Sequence, residues 1–103
     1  VQATAHANEL AQLHFTPRER TDVAQESGAA RDLAFLRCWT RKEACMKATG
    51  CGLSLAPSTF ECGVHAAPER VRVSALAREW TLLVHSPEVS SRDIVVSWAV
   101  VLA

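Results

Sequence analysis

The sequence predicts an α+β domain of two layers, with a long helix packed on a mainly antiparallel sheet. Helical patterning and helix caps occupy the first half of the chain, and short β-rich runs occupy the second. The longest helical stretch stops at Gly50 and Gly52, beyond which the apolar spacing changes character. A block of helices followed by a meander of strands buries its apolar faces best as a helix layer on a sheet. At 103 residues and 49% apolar content, one small domain with a modest core is expected over residues 1–103.

Residues 1–8 show no clear periodicity and do not begin with methionine, which suits a processed chain or the later part of a longer polypeptide. Residues 7–14 form a short helical candidate, with Ala7, Leu10 and Leu13 toward one side. A second helix starts at Thr16-Pro17-Arg18-Glu19. Thr16 is placed to cap, Pro17 fits the first helical position, and Glu19 completes a capping box. Phe15, just before the cap, is placed to staple against the following turn. This helix runs to about Gln25, and Ser27-Gly28 ends it.

Residues 29–49 form the long helix, with Asp32 near its start and Lys47 in its last turn, both favourable to the helix dipole. At about 100° per residue, Ala34, Phe35, Leu36, Cys38, Trp39, Cys45 and Met46 share one apolar arc. Arg37, Arg41, Ala44 and Ala48 fall on the polar face. Lys42 lies near the middle of the apolar arc, and Glu43 and Lys47, four apart, lie along its edge. A lysine in a buried stripe must pair, snorkel or face a cleft, because an unpaired buried charge costs several kcal/mol. Glu43 and Lys47 have the spacing of a surface ion pair.

Residues 54–58 include Pro57 and read as a loop. Four β-rich runs follow, at 60–64, 71–76, 80–85 and 93–102, with turn signals at Pro68-Glu69 and Ser86-Pro87. The last run, with Ile94, Val95, Val96, Val100 and Val101, is nearly continuous in apolar residues and predicts a central buried strand.

The charge balance excludes some classes of function. Eleven basic and eleven acidic side chains cancel, so nothing points to nucleic acid or an anionic membrane surface. No apolar run reaches the ~18 residues of a membrane span, and no signal-peptide order opens the chain. Four cysteines, at 38, 45, 51 and 62, lack zinc-site spacing, and the four histidines are scattered. Cys38 and Cys45 read as core residues, and a reduced, cytoplasmic location is expected.

The pattern W-x-x-K-E-A-x-x-K, here Trp39, Lys42, Glu43, Ala44 and Lys47, is followed by Gly50, then Gly52-Leu53-Ser54-Leu55. This resembles the signature of 4'-phosphopantetheinyl transferases, and the Gly-Leu-Ser-Leu tail with Pro57 and Phe60 is similar to the larger, Sfp-like class. His14-Phe15-Thr16-Pro17-Arg18-Glu19 resembles the Phe-Ser/Thr-x-x-Glu segment before the signature, and residues 93–102 resemble the closing strand.

The resemblance implies transfer of the phosphopantetheine arm of coenzyme A to a serine of an acyl or peptidyl carrier protein. It implies a metal-binding and catalytic role for Glu43, which would hold Mg²⁺ and serve as base. Lys42 and Lys47 would contact coenzyme A phosphates, Lys47 with a catalytic part. Charge accumulates on a breaking pyrophosphate, so cations and a hard metal belong beside it. Trp39 reads as a packing anchor or a coenzyme A contact. The family's Gly-x-Asp-x-Glu/Asp segment has no counterpart in residues 1–14, where Glu9 is the only acid. The chain is therefore expected to correspond to the C-terminal lobe of a two-lobed transferase, with self-association or a separate N-terminal lobe as possible complements. A non-catalytic coenzyme A- or carrier-binding module is the alternative.

Overall fold

The computed structural model describes residues 7–87 and 95–102. Three helices precede three strands: α1 (Ala7–His14), α2 (Pro17–Ala24), α3 (Gly28–Thr49), β1 (Glu69–Ala75), β2 (Arg78–His85) and β3 (Trp98–Val101). Two short 3-10 turns, Gly52–Ser54 and Pro57–Thr59, lead from α3 toward the sheet. The strands form one antiparallel meander in the order β1-β2-β3, and α3 packs against β2 and β3. The expected α+β architecture is the observed one.

The helix ends follow the local chemistry. The Thr16 hydroxyl accepts from the Glu19 backbone N–H at 3.2 Å, and Glu19 Oε1 accepts from the Thr16 backbone N–H at 2.9 Å. Gly50, at φ 71°, closes α3 in the left-handed region and donates its N–H to the Lys47 carbonyl. Phe15 packs in one cluster with Val23 of α2 and meets the Phe35 ring of α3 at a 38° tilt, with ring centroids 5.2 Å apart. Phe15 therefore also ties the start of α2 to α3.

Two apolar clusters sit along α3. Phe15, Val23, Ala34, Phe35 and Cys38 gather with Ala11 and Val64 under the helical end. Cys45 joins Leu55, Phe60, Cys62, Val71, Val73, Trp80, Leu82 and Val84 over the sheet. Alternate residues of β1 and β2 point inward, and the register pairs Val71 with Leu82 and Val73 with Trp80 on the buried face.

Two expectations about the second half are corrected. Residues 60–64 form no strand, although Phe60, Cys62 and Val64 are buried in alternation as a strand's residues would be. Their backbone groups bond to buried charged side chains instead of a neighbouring strand. The closing run is not central either: β2 is the middle strand, and β3 lies at the edge among the described residues. Trp98, Val100, Val101 and Leu102 stay 39–51% exposed there. Asp93 and Ile94 of that run lie outside the described residues. β1 and β2 are joined at Leu76-Ala77, both at positive φ (53° and 60°), a tight two-residue hairpin in which glycine or asparagine is the usual choice.

Candidate active site

The signature residues on α3 divide into a buried group and an exposed group. Arg41 and Lys42, next to each other, are 0% and 2% exposed. Glu43 and Lys47 are exposed, and neither is ion-paired among the described residues. Helix geometry explains the split. With Lys42 taken as zero, the buried residues Arg41, Ala34, Cys45, Cys38 and Phe35 fall between about −100° and about +20°. Glu43 then falls at about +100° and Lys47 at about +140°, nearly opposite the middle of the buried arc. They lie one turn apart on the same outward strip, without the surface ion pair that their spacing suggested.

Two corrections follow. Arg41, expected on the polar face, is inside. Its guanidinium donates to the Cys62 carbonyl at 2.7 Å, to the Ala67 carbonyl and to the Ser86 hydroxyl at 2.8 Å. Glu69 approaches it at 4.0 Å. Burial lowers its pKa, and the Glu69 carboxylate opposes that shift. A wheel that places every charge outside misses this residue because its partners are distant backbone carbonyls. Ser86 extends the network through Ser97, at 2.7 Å, to Thr40 of α3 at 2.6 Å.

Lys42 was expected to share one phosphate-and-metal face with Glu43 and Lys47, and the structure separates it from both. Its Nζ pairs with Glu19 Oε1 at 2.7 Å, donates to the Pro57 carbonyl at 2.8 Å and to the Phe60 carbonyl, and lies 4.5 Å from the Phe60 ring centroid. Of the three options open to a lysine in an apolar stripe, this one pairs. Glu19 in turn is fully buried, and its Oε2 accepts from the Cys62 N–H at 2.6 Å and the Gly63 N–H at 3.2 Å. The sequence identified Glu19 as a capping residue and as the glutamate of the Phe-Ser/Thr-x-x-Glu segment, not as the partner of Lys42. The signal that could have found its second role was the buried lysine's need for a counter-charge.

Gly63 allows this arrangement. It sits at φ 77°, and a Cβ there would meet the Glu69 carboxylate at 2.7 Å. Trp39 stacks on Phe35 at 6.2 Å with an interplanar angle of 11°, and the His14 ring meets it edge-on at 5.4 Å. That matches the packing role expected of Trp39, while leaving it half-buried.

The cysteines are free thiols, three of them buried. Burial pushes the Cys38 thiol well above its ordinary range, and the Glu19 carboxylate adds to that effect. Cys45 and Cys62 lie with sulfurs 3.8 Å apart, a contact that favours ionisation of Cys45, while burial holds Cys62 as the thiol.

A family model for the 4'-phosphopantetheinyl transferase superfamily matches residues 1–99. The chain belongs to this superfamily. No curated protein and no solved structure matches the chain. Transfer of phosphopantetheine, in general terms, is thus the chemistry of its family. The described residues contain no cluster of three or more His, Cys, Asp or Glu side chains able to hold a metal ion. The Glu43 carboxylate is the hard oxygen ligand that Mg²⁺ takes, but one carboxylate is too few to make a Mg²⁺ site unaided. No membrane-spanning helix occurs among the described residues. An open groove of about 690 Å³, lined by Ala11, Gln12, Arg20, Val23, Ala24 and Arg31, includes none of the signature residues.

Proposed function

We propose that this chain takes part in moving the 4'-phosphopantetheine arm of coenzyme A to a serine of an acyl or peptidyl carrier protein, with Glu43 and Lys47 as its working strip. The observation that supports this most is the exposure of both residues, unpaired among the described residues, on one side of α3 within the family's signature. An unpaired carboxylate and ammonium one turn apart suit a substrate that carries both a phosphate and a hydroxyl proton.

In the reaction, the carrier serine oxygen bonds to the phosphorus bearing the pantetheine arm. The bond from that phosphorus to the bridging oxygen breaks, and adenosine 3',5'-bisphosphate leaves with the electron pair. Glu43 is placed to take the serine proton, and Lys47 to offset charge growing on the phosphate oxygens. Both side chains leave a helix whose other side is locked into the core, so their backbone positions are set before substrate binds. The Mg²⁺ dependence that the family resemblance implies would rest on Glu43 here.

Incubating the protein with coenzyme A, Mg²⁺ and an apo carrier protein tests this directly. The carrier should gain the mass of one phosphopantetheine, and Glu43→Gln should nearly abolish the gain. Wild-type transfer by Glu43→Gln would overturn the assignment.

The presence of a single exposed carboxylate at the strip favours a second reading, a non-catalytic module that binds coenzyme A or the carrier. Calorimetry of coenzyme A with and without Mg²⁺ separates the two. Binding that ignores the metal, without any transfer, supports the module.

A further inference from the structure

We propose that Lys42 is a positioning residue and not a phosphate ligand: with Glu19 it forms the buried pair that decides which strip of α3 faces outward, leaving Lys47 as the signature's phosphate-binding cation. This rests on the functional reading above and assigns different work to the two lysines of one motif.

Donor and acceptor counts carry the inference. An ammonium has three N–H donors. Those of Lys42 go to Glu19 Oε1, the Pro57 carbonyl and the Phe60 carbonyl. An ionised carboxylate offers about four acceptor sites. Those of Glu19 are taken by Lys42 and the backbone N–H groups of Thr16, Cys62 and Gly63. Neither group has capacity to spare for a ligand. To reach a phosphate, Lys42 would have to abandon two carbonyls and leave the carboxylate of Glu19 charged, buried and unpaired.

The pair also has the right position to set the helix. Glu19 is on α2, Lys42 on α3, and the carbonyls and N–H groups they hold belong to residues 57–63. Three segments therefore meet at one ion pair between the two apolar clusters. Fixing Lys42 inward fixes Glu43 and Lys47 outward, because all three are rigidly spaced on the same helix.

The test compares Glu19→Gln, Lys42→Met, the double variant Glu19→Gln/Lys42→Met, and Lys47→Met in the 103-residue chain. Each is measured for thermal unfolding and for coenzyme A affinity across a salt series. The single changes at Glu19 and Lys42 should each lower the unfolding midpoint, and the double variant should lose clearly less than their sum. The double variant keeps an uncharged side chain directed inward at position 42 and leaves no buried charge unpaired, so the outward strip is retained, and it should bind coenzyme A within twofold of wild type with an unchanged salt dependence. Lys47→Met should weaken binding tenfold or more and flatten the salt dependence. A folded double variant that binds tenfold more weakly, with a flattened salt response, would overturn the proposal. So would strictly additive losses at Glu19 and Lys42. Unchanged affinity in Lys47→Met overturns both the role given to Lys47 and the coenzyme A reading, while the midpoints still decide whether Glu19 and Lys42 form a working pair.

Discussion

Replacing Arg41 by methionine should be among the most destabilising single changes available in this fold. The side chain is fully buried and serves the carbonyls of Cys62 and Ala67 together with the Ser86 hydroxyl. Methionine fills much of the same volume and supplies no donor. Ser86 retains a partner in Ser97, so the buried Cys62 carbonyl and, to a lesser degree, the part-buried Ala67 carbonyl carry the loss. Each unsatisfied buried acceptor costs about 1–3 kcal/mol. The Cys62 carbonyl alone sets a loss of roughly 1–3 kcal/mol, with the Ala67 carbonyl adding less, against a total stability of about 5–15 kcal/mol for a domain of this kind. Arg41→Lys should recover only part of this, since an ammonium cannot reproduce the planar fork that spans separate acceptors. Urea unfolding followed by circular dichroism measures both, with Arg72→Ala on the exposed side of β1 as a control expected within about 0.5 kcal/mol of wild type. A loss below about 1 kcal/mol in Arg41→Met would refute the reasoning, because it would mean that water reaches those carbonyls freely.

The β1–β2 hairpin should be improved by Leu76→Asn with Ala77→Gly, which places residues tolerant of positive φ where the chain already adopts it. A gain of about 1–2 kcal/mol in the same assay is expected, and no gain would argue against this turn geometry. Stability should also fall as pH rises above the ordinary thiol range of about 8.5–9. Cys38 is held neutral in the folded state by burial, so above that range the unfolded chain loses a proton that the folded chain keeps. One such thiol can contribute up to about 1.4 kcal/mol per pH unit, and Cys38→Ala should flatten the decline. Under native conditions iodoacetamide should label the half-buried Cys51 first, with Cys38, Cys45 and Cys62 reacting only as the chain opens. Mass spectrometry of partially labelled protein checks the order.

The helical half was legible because its signals are local. Thr16, Pro17 and Glu19 specify one helix start within four residues, and Gly50 specifies the end of α3. The alternation in β1 and β2 was legible for the same reason. Residues 60–64 misled because alternate burial marks a strand only when a neighbouring strand takes up the backbone bonds. Here Glu19, Arg41 and Lys42 take them, from positions far away in sequence. The hairpin turn was hidden by Leu76 and Ala77, which carry none of the usual turn chemistry, and the closing run looked central because apolar content does not report strand order. At the candidate site, motif spacing singled out Glu43 and Lys47, which the structure leaves exposed. It could not distinguish Lys42 from them, since the residue that neutralises Lys42 already had a local explanation as a cap.

The buried pair beneath the signature has a consequence for how loss of function would look on heating and cooling. A variant that weakens the Glu19–Lys42 contact raises the fraction of unfolded chains, and that fraction is sensitive to temperature. Its activity should return in part on cooling or in the presence of a stabilising osmolyte. On the roles proposed for Glu43 and Lys47, a variant at either would leave the population of folded molecules nearly unchanged, so cooling would restore nothing. Neighbouring letters of one motif would thus give a conditional phenotype and an unconditional one.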